Sequence, residues 1–277
     1  MTYTDILYEV TDPYAVITLN RPDKLNAFTY HTLAEIRSAI ELATNDTRVV
    51  GIIITGAGRA FSAGLDMQVL TETTSSTSTS KVATEIATEI ATEAAAEDEL
   101  PGIFSYLIEV PKPVIAAING VAAGGGLILA LMSDLRFASS SAALTTVFLK
   151  RGLIAEHGSS WLLPRLVGVS RALDLLWMSD KLSSEEAREI GLVDRISEPD
   201  NLLPMAKDYV RRLSETSAPK AIGASKALVY RHLGAGYLEA LRDAEAVQNK
   251  FVLAPDATEG AASFVERRPP RFERVGD

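Results

Sequence analysis

Apolar positions along this chain follow two rhythms. Residues 6–10 and 15–19 are short runs with β-branched residues, and they read as strands joined by the turn Thr11-Asp12-Pro13. Asn20-Arg21-Pro22-Asp23 then breaks the chain, after which Leu33, Ile36, Ile40 and Leu42 recur at mostly helical spacing and predict a helix over Tyr30–Asn45. The run VVGIIIT at 49–55 is apolar on nearly every position, as expected of a strand covered on both faces. A helix feeding such a strand is the alphabet of a layered α/β fold. The alternation returns at 114–132, where a β-branched first half predicts a strand, glycines a turn, and 127–132 a helix. A short strand is expected over 134–138, and Ser183-Ser184-Glu185-Glu186 fits a capping box that opens a helix ending at Gly191. Past Asp200 the strand signal stops. Residues 202–213, Pro219–His232 and Tyr237–Phe251 carry helical patterns, so an α/β core over 1–200 is followed by a helical domain over 201–277.

Composition narrows the picture. With 27 Lys+Arg against 36 Asp+Glu the formal charge is −9, which argues against a nucleic-acid or anionic-membrane partner. Cys is absent, removing disulfides, thiolate metal sites and a Cys nucleophile. Stretch 114–132 approaches the length of a membrane span, but Asn119, Gly120 and Gly124 to Gly126 interrupt it. The opening MTYTDILYEV has neither a basic nor an apolar leader region, so a cytoplasmic location is expected. Between 67 and 100 the chain turns Thr/Ser-rich and then repeats ATEI, which reads as a variable, mobile excursion containing an acidic helix with an Ile86/Ile90 stripe.

Candidate chemistry lies at two glycine sites, each after a buried strand. Gly56-Ala57-Gly58 lacks the third glycine of a dinucleotide fingerprint, because Phe61 stands there; neither a P-loop nor a G-x-S-x-G elbow occurs. FSAGLD (61–66) and NGVAAGGG (119–126) could each turn backbone N–H groups towards one point. If Leu65 and Gly125 converge, the second at a helix N-terminus, they form an oxyanion hole for a carbonyl becoming an enolate. The alternative is that both are plain strand-to-helix turns. The three histidines, His31, His157 and His232, have no metal-ligand spacing, and no motif sets one beside Ser62 or Ser159 as a peptidase would need. Trp161 and Trp177 are expected in the core or a pocket wall, and Asp134 in a buried hydrogen-bond role.

RPDKLNAF (21–28), AFSAGLDM (60–67) and KPVIAAINGVAAGGGLILALMSDLRFAS (112–139), in this order and spacing, resemble the enoyl-CoA hydratase/isomerase, or crotonase, family. GLIAEHGSSWLLPRLVG (152–168), LSSEEAREIGLVDRI (182–196) and EGAASFVERRPPRF (259–272) extend the likeness over nearly the whole chain. The resemblance implies a crotonase (ClpP-like) spiral of ββα repeats, a C-terminal helical domain that assembles trimers or dimers of trimers, and an acyl-CoA thioester substrate. No separate cofactor is implied, since CoA is part of the substrate. Leu65 and Gly125 match the family's oxyanion donors. Lys24, Leu25, Ala27, Ala63 and Asp66 match the stretch that cradles CoA, while Phe264, Arg267-Arg268 and Lys226 resemble groups that approach CoA of a neighbouring subunit.

The departures decide the expected reaction. Positions where family hydratases carry their two glutamates hold Ile128 and Phe148, which cannot ionise. Glu156 matches an acid of the isomerase-like members, expected to lie against Phe148 and Trp161. A single carboxylate can take a proton from one carbon and return it to another, so double-bond isomerisation is the expected reaction. Hydration by another water geometry, C–C or thioester hydrolysis, and a silent acyl-CoA-binding oligomer are the alternatives.

Overall fold

The computed structural model describes residues 2–67, 69, 100 and 102–276. The expected excursion over 67–100 therefore lies, but for 67, 69 and 100, outside the described residues.

Strands β1 (Ile6–Thr11) and β2 (Tyr14–Leu19) form an antiparallel hairpin across Asp12-Pro13. β3 (Gly51–Gly56), β5 (Val114–Ile118), β7 (Leu135–Ser139) and β10 (Arg195–Ser197) then add in parallel, giving a six-stranded sheet of order β1-β2-β3-β5-β7-β10. A second sheet of order β4-β6-β8-β9 joins β4 (Ala60–Ser62), β6 (Val121–Ala123), β8 (Ala143–Thr145) and β9 (Leu182–Ser183). Each of its strands is at most three residues long, too short for a period-two pattern to register in sequence.

Side chains of the larger sheet alternate between two cores, as the pleat requires. Ile52, Ile54, Val114, Ala116 and Ile118 point towards α1 (Tyr30–Asn45) and α2 (Gly125–Met132). Val50, Ile53, Ile115, Ala117 and Phe137 point the other way, onto Leu202, Ala206 and Val210 of α6 (Leu202–Thr216). The continuous apolar runs are thus buried on both faces. Helix α1 starts at the expected residue because Thr29 and Thr32 form a capping box: Thr32 N–H donates to Thr29 Oγ1 at 3.1 Å and Thr29 N–H to Thr32 Oγ1 at 3.2 Å. Ser183 and Glu186 do the same for α5 (Ser184–Glu189). Stretch 114–132 is strand β5, a turn that also carries the short strand β6, and helix α2, and among the described residues no helix is long and apolar enough to cross a membrane.

Helices α3 (Ser159–Val167) and α4 (Val169–Met178) pack on the spiral, while α7 (Pro219–His232), α8 (Tyr237–Phe251) and α9 (Pro255–Glu266) follow α6. A fourth C-terminal helix, α9, follows the three patterned ones. Trp177 lies on the open face of α4, 63% exposed, and so is not a core residue; its partners on that stripe, Val169 and Leu173, are exposed too.

A buried ion pair ties the helical segment to the core. Lys226 Nζ on α7 donates to Asp134 Oδ2 at 2.8 Å and to the Leu107 carbonyl at 2.9 Å, while Asp134 also accepts from Val114 N–H at 2.7 Å and Tyr230 OH at 3.1 Å. Asp134 thus has the buried hydrogen-bond role expected of it. Lys226 is only 8% exposed and fully engaged, which removes it as a CoA contact. Lys226→Met strands the Asp134 carboxylate and is expected to cost about 3 kcal/mol, read as a lowered midpoint of chemical denaturation.

Candidate active site

Both glycine motifs meet at the ends of β4 and β6. Gly64 is left-handed at φ 89°, and a Cβ built on it lies 2.7 Å from the Ala123 carbonyl oxygen and 2.8 Å from the Gly125 nitrogen. A Cβ on Gly125 lies 3.6 Å from the Leu65 nitrogen, so the Leu65 and Gly125 amides are neighbours. Among the described residues neither N–H donates a hydrogen bond, and both residues are partly exposed. Gly125 is the first residue of α2, where the helix dipole adds positive potential. Two unpaired, adjacent donors can hold a developing oxyanion. The glycines serve backbone-to-backbone approach first, and only then access for a substrate.

Two asparagines tie the surrounding loops. Asn26, buried and itself at φ 55°, donates through Nδ2 to the carbonyls of Ala57 (2.9 Å) and Ala60 (2.8 Å) and accepts from Arg21 N–H (2.9 Å). Asn119 accepts from Gly56 N–H at 3.0 Å and donates to the carbonyls of Gly58 and Ala60. Both stand in motifs quoted from the sequence, yet nothing local distinguishes them from turn residues; their role appears only when three loops converge.

The expected CoA cradle comes together in the same place. Ala63 N–H donates to the Leu25 carbonyl at 2.9 Å and Ala27 N–H to the Lys24 carbonyl at 3.1 Å, while Arg21 bridges the Ala27 carbonyl and Asp66. Lys24 is exposed beside them. Phe264 is 85% exposed on α9, far along the chain from this cluster; Arg268 is held by Glu259 and Glu266, with its Nη2 at 2.8 Å from Glu259 Oε2. That pairing holds the Glu259 carboxyl down at about 2.

Around the donors the walls are apolar. Phe148 is buried with its ring edge 3.9 Å from the point where a Cβ on Gly124 would stand, and Ile128, one turn into α2, is fully buried. Val147, between them and β8, sits at φ 55°, a backbone conformation costly for a β-branched residue and typical of functional sites. Glu156 lies on the turn before α3 and is half-buried. Trp161, two residues into α3, is 36% exposed with the Arg165 guanidinium stacked on it at 4.0 Å. The turn meets α2 through Met132, whose methyl approaches Gly158. His157, at φ 49°, is held below its ordinary pKa by burial, with Glu156 opposing. Among the described residues no cluster of three or more metal-ligating side chains occurs.

A two-sheet spiral with paired backbone donors at a glycine turn is the architecture of enzymes that polarise a carbonyl, and the comparisons specify which. The enoyl-CoA hydratase/isomerase family model matches residues 10–275. A probable enoyl-CoA hydratase of Mycobacterium tuberculosis is 36% identical over 270 residues, 93% of this chain and 88% of that one. The 1,2-epoxyphenylacetyl-CoA isomerase of Escherichia coli is 31% identical over 268 residues, 96% of this chain and 97% of that one. The crystal structure of a putative enoyl-CoA hydratase from Streptomyces coelicolor superposes with a TM-score of 0.86 at 31% identity, covering 98% of this chain and 95% of that one. The chain belongs to the enoyl-CoA hydratase/isomerase family and has the crotonase fold.

Gly64→Ala forces a methyl against the Gly125 amide. It is expected to lower turnover of an enoyl-CoA thioester by about 100-fold or more in steady-state assays, the scale of one lost oxyanion donor.

Proposed function

We propose that this chain is an enoyl-CoA isomerase that shifts a 3-enoyl thioester to the conjugated 2-enoyl form. The observation that carries the reading is the pair Ile128 and Phe148: both are buried and apolar where family hydratases hold their glutamates, so no carboxylate stands there to position a water. Glu156 supplies the acid/base. Its carboxylate takes a proton from C2, the electron pair of that bond moves through C1 onto the thioester oxygen to give a dienolate conjugated with the C3–C4 double bond, and Leu65 and Gly125 N–H groups hold that oxygen. As the carbonyl re-forms, the double bond moves to C2–C3 and C4 takes up the proton from Glu156, leaving Glu156 ionised and the atoms balanced. Helix α2 spans roughly 10 Å between the donors and Met132 at 1.5 Å per residue, a length that the first acyl carbons and an extended glutamate side chain cover together.

Isomerase chemistry has a precedent among the relatives in the Escherichia coli enzyme, whereas the several relatives named hydratases make hydration the competing reading. Incubation of wild type and Glu156→Gln with 3-enoyl-CoA and, separately, 2-enoyl-CoA separates them by chromatography of the products. Isomerisation in the wild type that falls by at least about 100-fold in the variant, with thioester binding retained, is the expected result. Hydration of 2-enoyl-CoA that survives the substitution contradicts it.

The substrate is an acyl-CoA in this reading, with Lys24, Leu25, Ala27, Ala63 and Asp66 around its CoA end. We also propose a homo-oligomer. Helix α8 buries none of its residues within the chain, and Tyr237, Leu253, Phe264 and Val265 stand 79–86% exposed on α8, α9 and their connection. Covering such a face by a second copy explains it better than solvent does. Light scattering on the eluted protein is expected to give three or six times the chain mass of 29.8 kDa; a monomer mass contradicts the proposal.

A further inference from the structure

Phe28 has no ionisable group and is fully buried, yet its backbone is paired with Leu65 and its ring lies beside Gly125. Its backbone forms a parallel bridge with Leu65: Phe28 N–H donates to the Gly64 carbonyl at 2.8 Å, and its own carbonyl accepts from Asp66 N–H at 2.9 Å. The Gly64 carbonyl and the Leu65 N–H belong to one planar trans peptide group and point in opposite directions. Fixing the oxygen against Phe28 therefore aims the Leu65 N–H away from Phe28, and withdrawing charge through that oxygen makes the N–H a stronger donor. The side chain acts on the other donor. Its Cδ2 lies 3.5 Å from the point where a Cβ on Gly125 would stand, so the ring fills the space beside that residue, and the Phe104 ring backs it edge-on at 5.4 Å between centroids and 70° between planes.

We infer that Phe28 is a positioning residue that sets the aim of the Leu65 N–H through its backbone and the spacing of Gly125 through its ring. The inference rests on the reading of Leu65 and Gly125 as the donors to the thioester oxygen. A shorter side chain at 28 empties the space between Phe104 and Gly125, so the 28–65 bridge and the start of α2 lose their common backing. Stabilisation of the enolate then suffers more than binding of the ground-state thioester, because only the former depends on both donors meeting one oxygen.

The test uses the full-length protein and a push–pull cinnamoyl-CoA thioester, whose absorption moves to longer wavelength when its carbonyl is polarised. Wild type is expected to shift the bound chromophore to the red. Phe28→Leu is expected to bind it within about 3-fold of wild type, to lose at least half of the shift, and to lower kcat about 10-fold or more with KM little changed. Phe104→Leu, which thins the support behind the ring without touching Gly125, is expected to show the same changes at smaller size, and it replaces Phe28→Leu if circular dichroism shows that variant unfolded. A full red shift and an unchanged kcat in a folded variant overturn the inference alone. Binding without a shift in the wild type overturns the reading of the two donors on which it stands.

Discussion

Between Ser62 and Gly126 the polypeptide passes itself at a separation that no Cβ can occupy. A methyl group on Gly126 would stand 2.2 Å from the Ser62 carbonyl oxygen, and one on Gly64 would stand 2.7 Å from the Ala123 carbonyl oxygen. This approach brings the end of β4 onto the start of α2 and sets two unpaired amides side by side. The flanking order serves it: parallel β4 and β6 carry the two turns, Asn26 and Asn119 tie the loops that enter them, and Gly124 N–H is held by the Thr145 carbonyl at 3.2 Å. Neutral amides from a rigid scaffold hold a developing negative charge without reorganising, which is why the arrangement suits enolate chemistry.

The side chains then choose among the reactions the fold permits. Ile128 and Phe148 stand buried and apolar near the donors, so neither position supplies an ionisable group. Glu156 lies on a half-buried turn, and burial favours the neutral form of His157 beside it. The buried Lys226–Asp134 pair works at a distance from this chemistry, holding α7 against the strand that precedes β7 and so fixing where the exposed apolar helices are presented.

Much of the fold was legible because long elements write their period into the sequence. The α1 limits, the Ser183 capping box, the first strand and the helix of 114–132 and the helices Pro219–His232 and Tyr237–Phe251 match the structure, while the expected turn within 114–132 also carries β6. The second sheet was not, since strands of two or three residues carry no alternation, and neither was β10, whose partly exposed Arg195–Ser197 lacks an apolar run. At the site, the glycines and the two donor positions were visible, although the reason for the glycines is backbone crowding. Phe28, Asn26 and Asn119 were invisible in that role because each works through contacts 31 or more residues away. Trp177 misled in the opposite direction: aromatic residues favour interiors on average, but this one stands 63% exposed on a helix face.

A crystal structure with a bound CoA thioester that carries an enolate, such as acetoacetyl-CoA, probes the shared role of the Leu65 and Gly125 amides most directly. The thioester oxygen is expected within about 2.7–3.1 Å of both nitrogens, with the acyl carbons running along α2 towards Glu156. An oxygen that meets only one of the two amides, or a thioester seated elsewhere on the chain, would contradict the account.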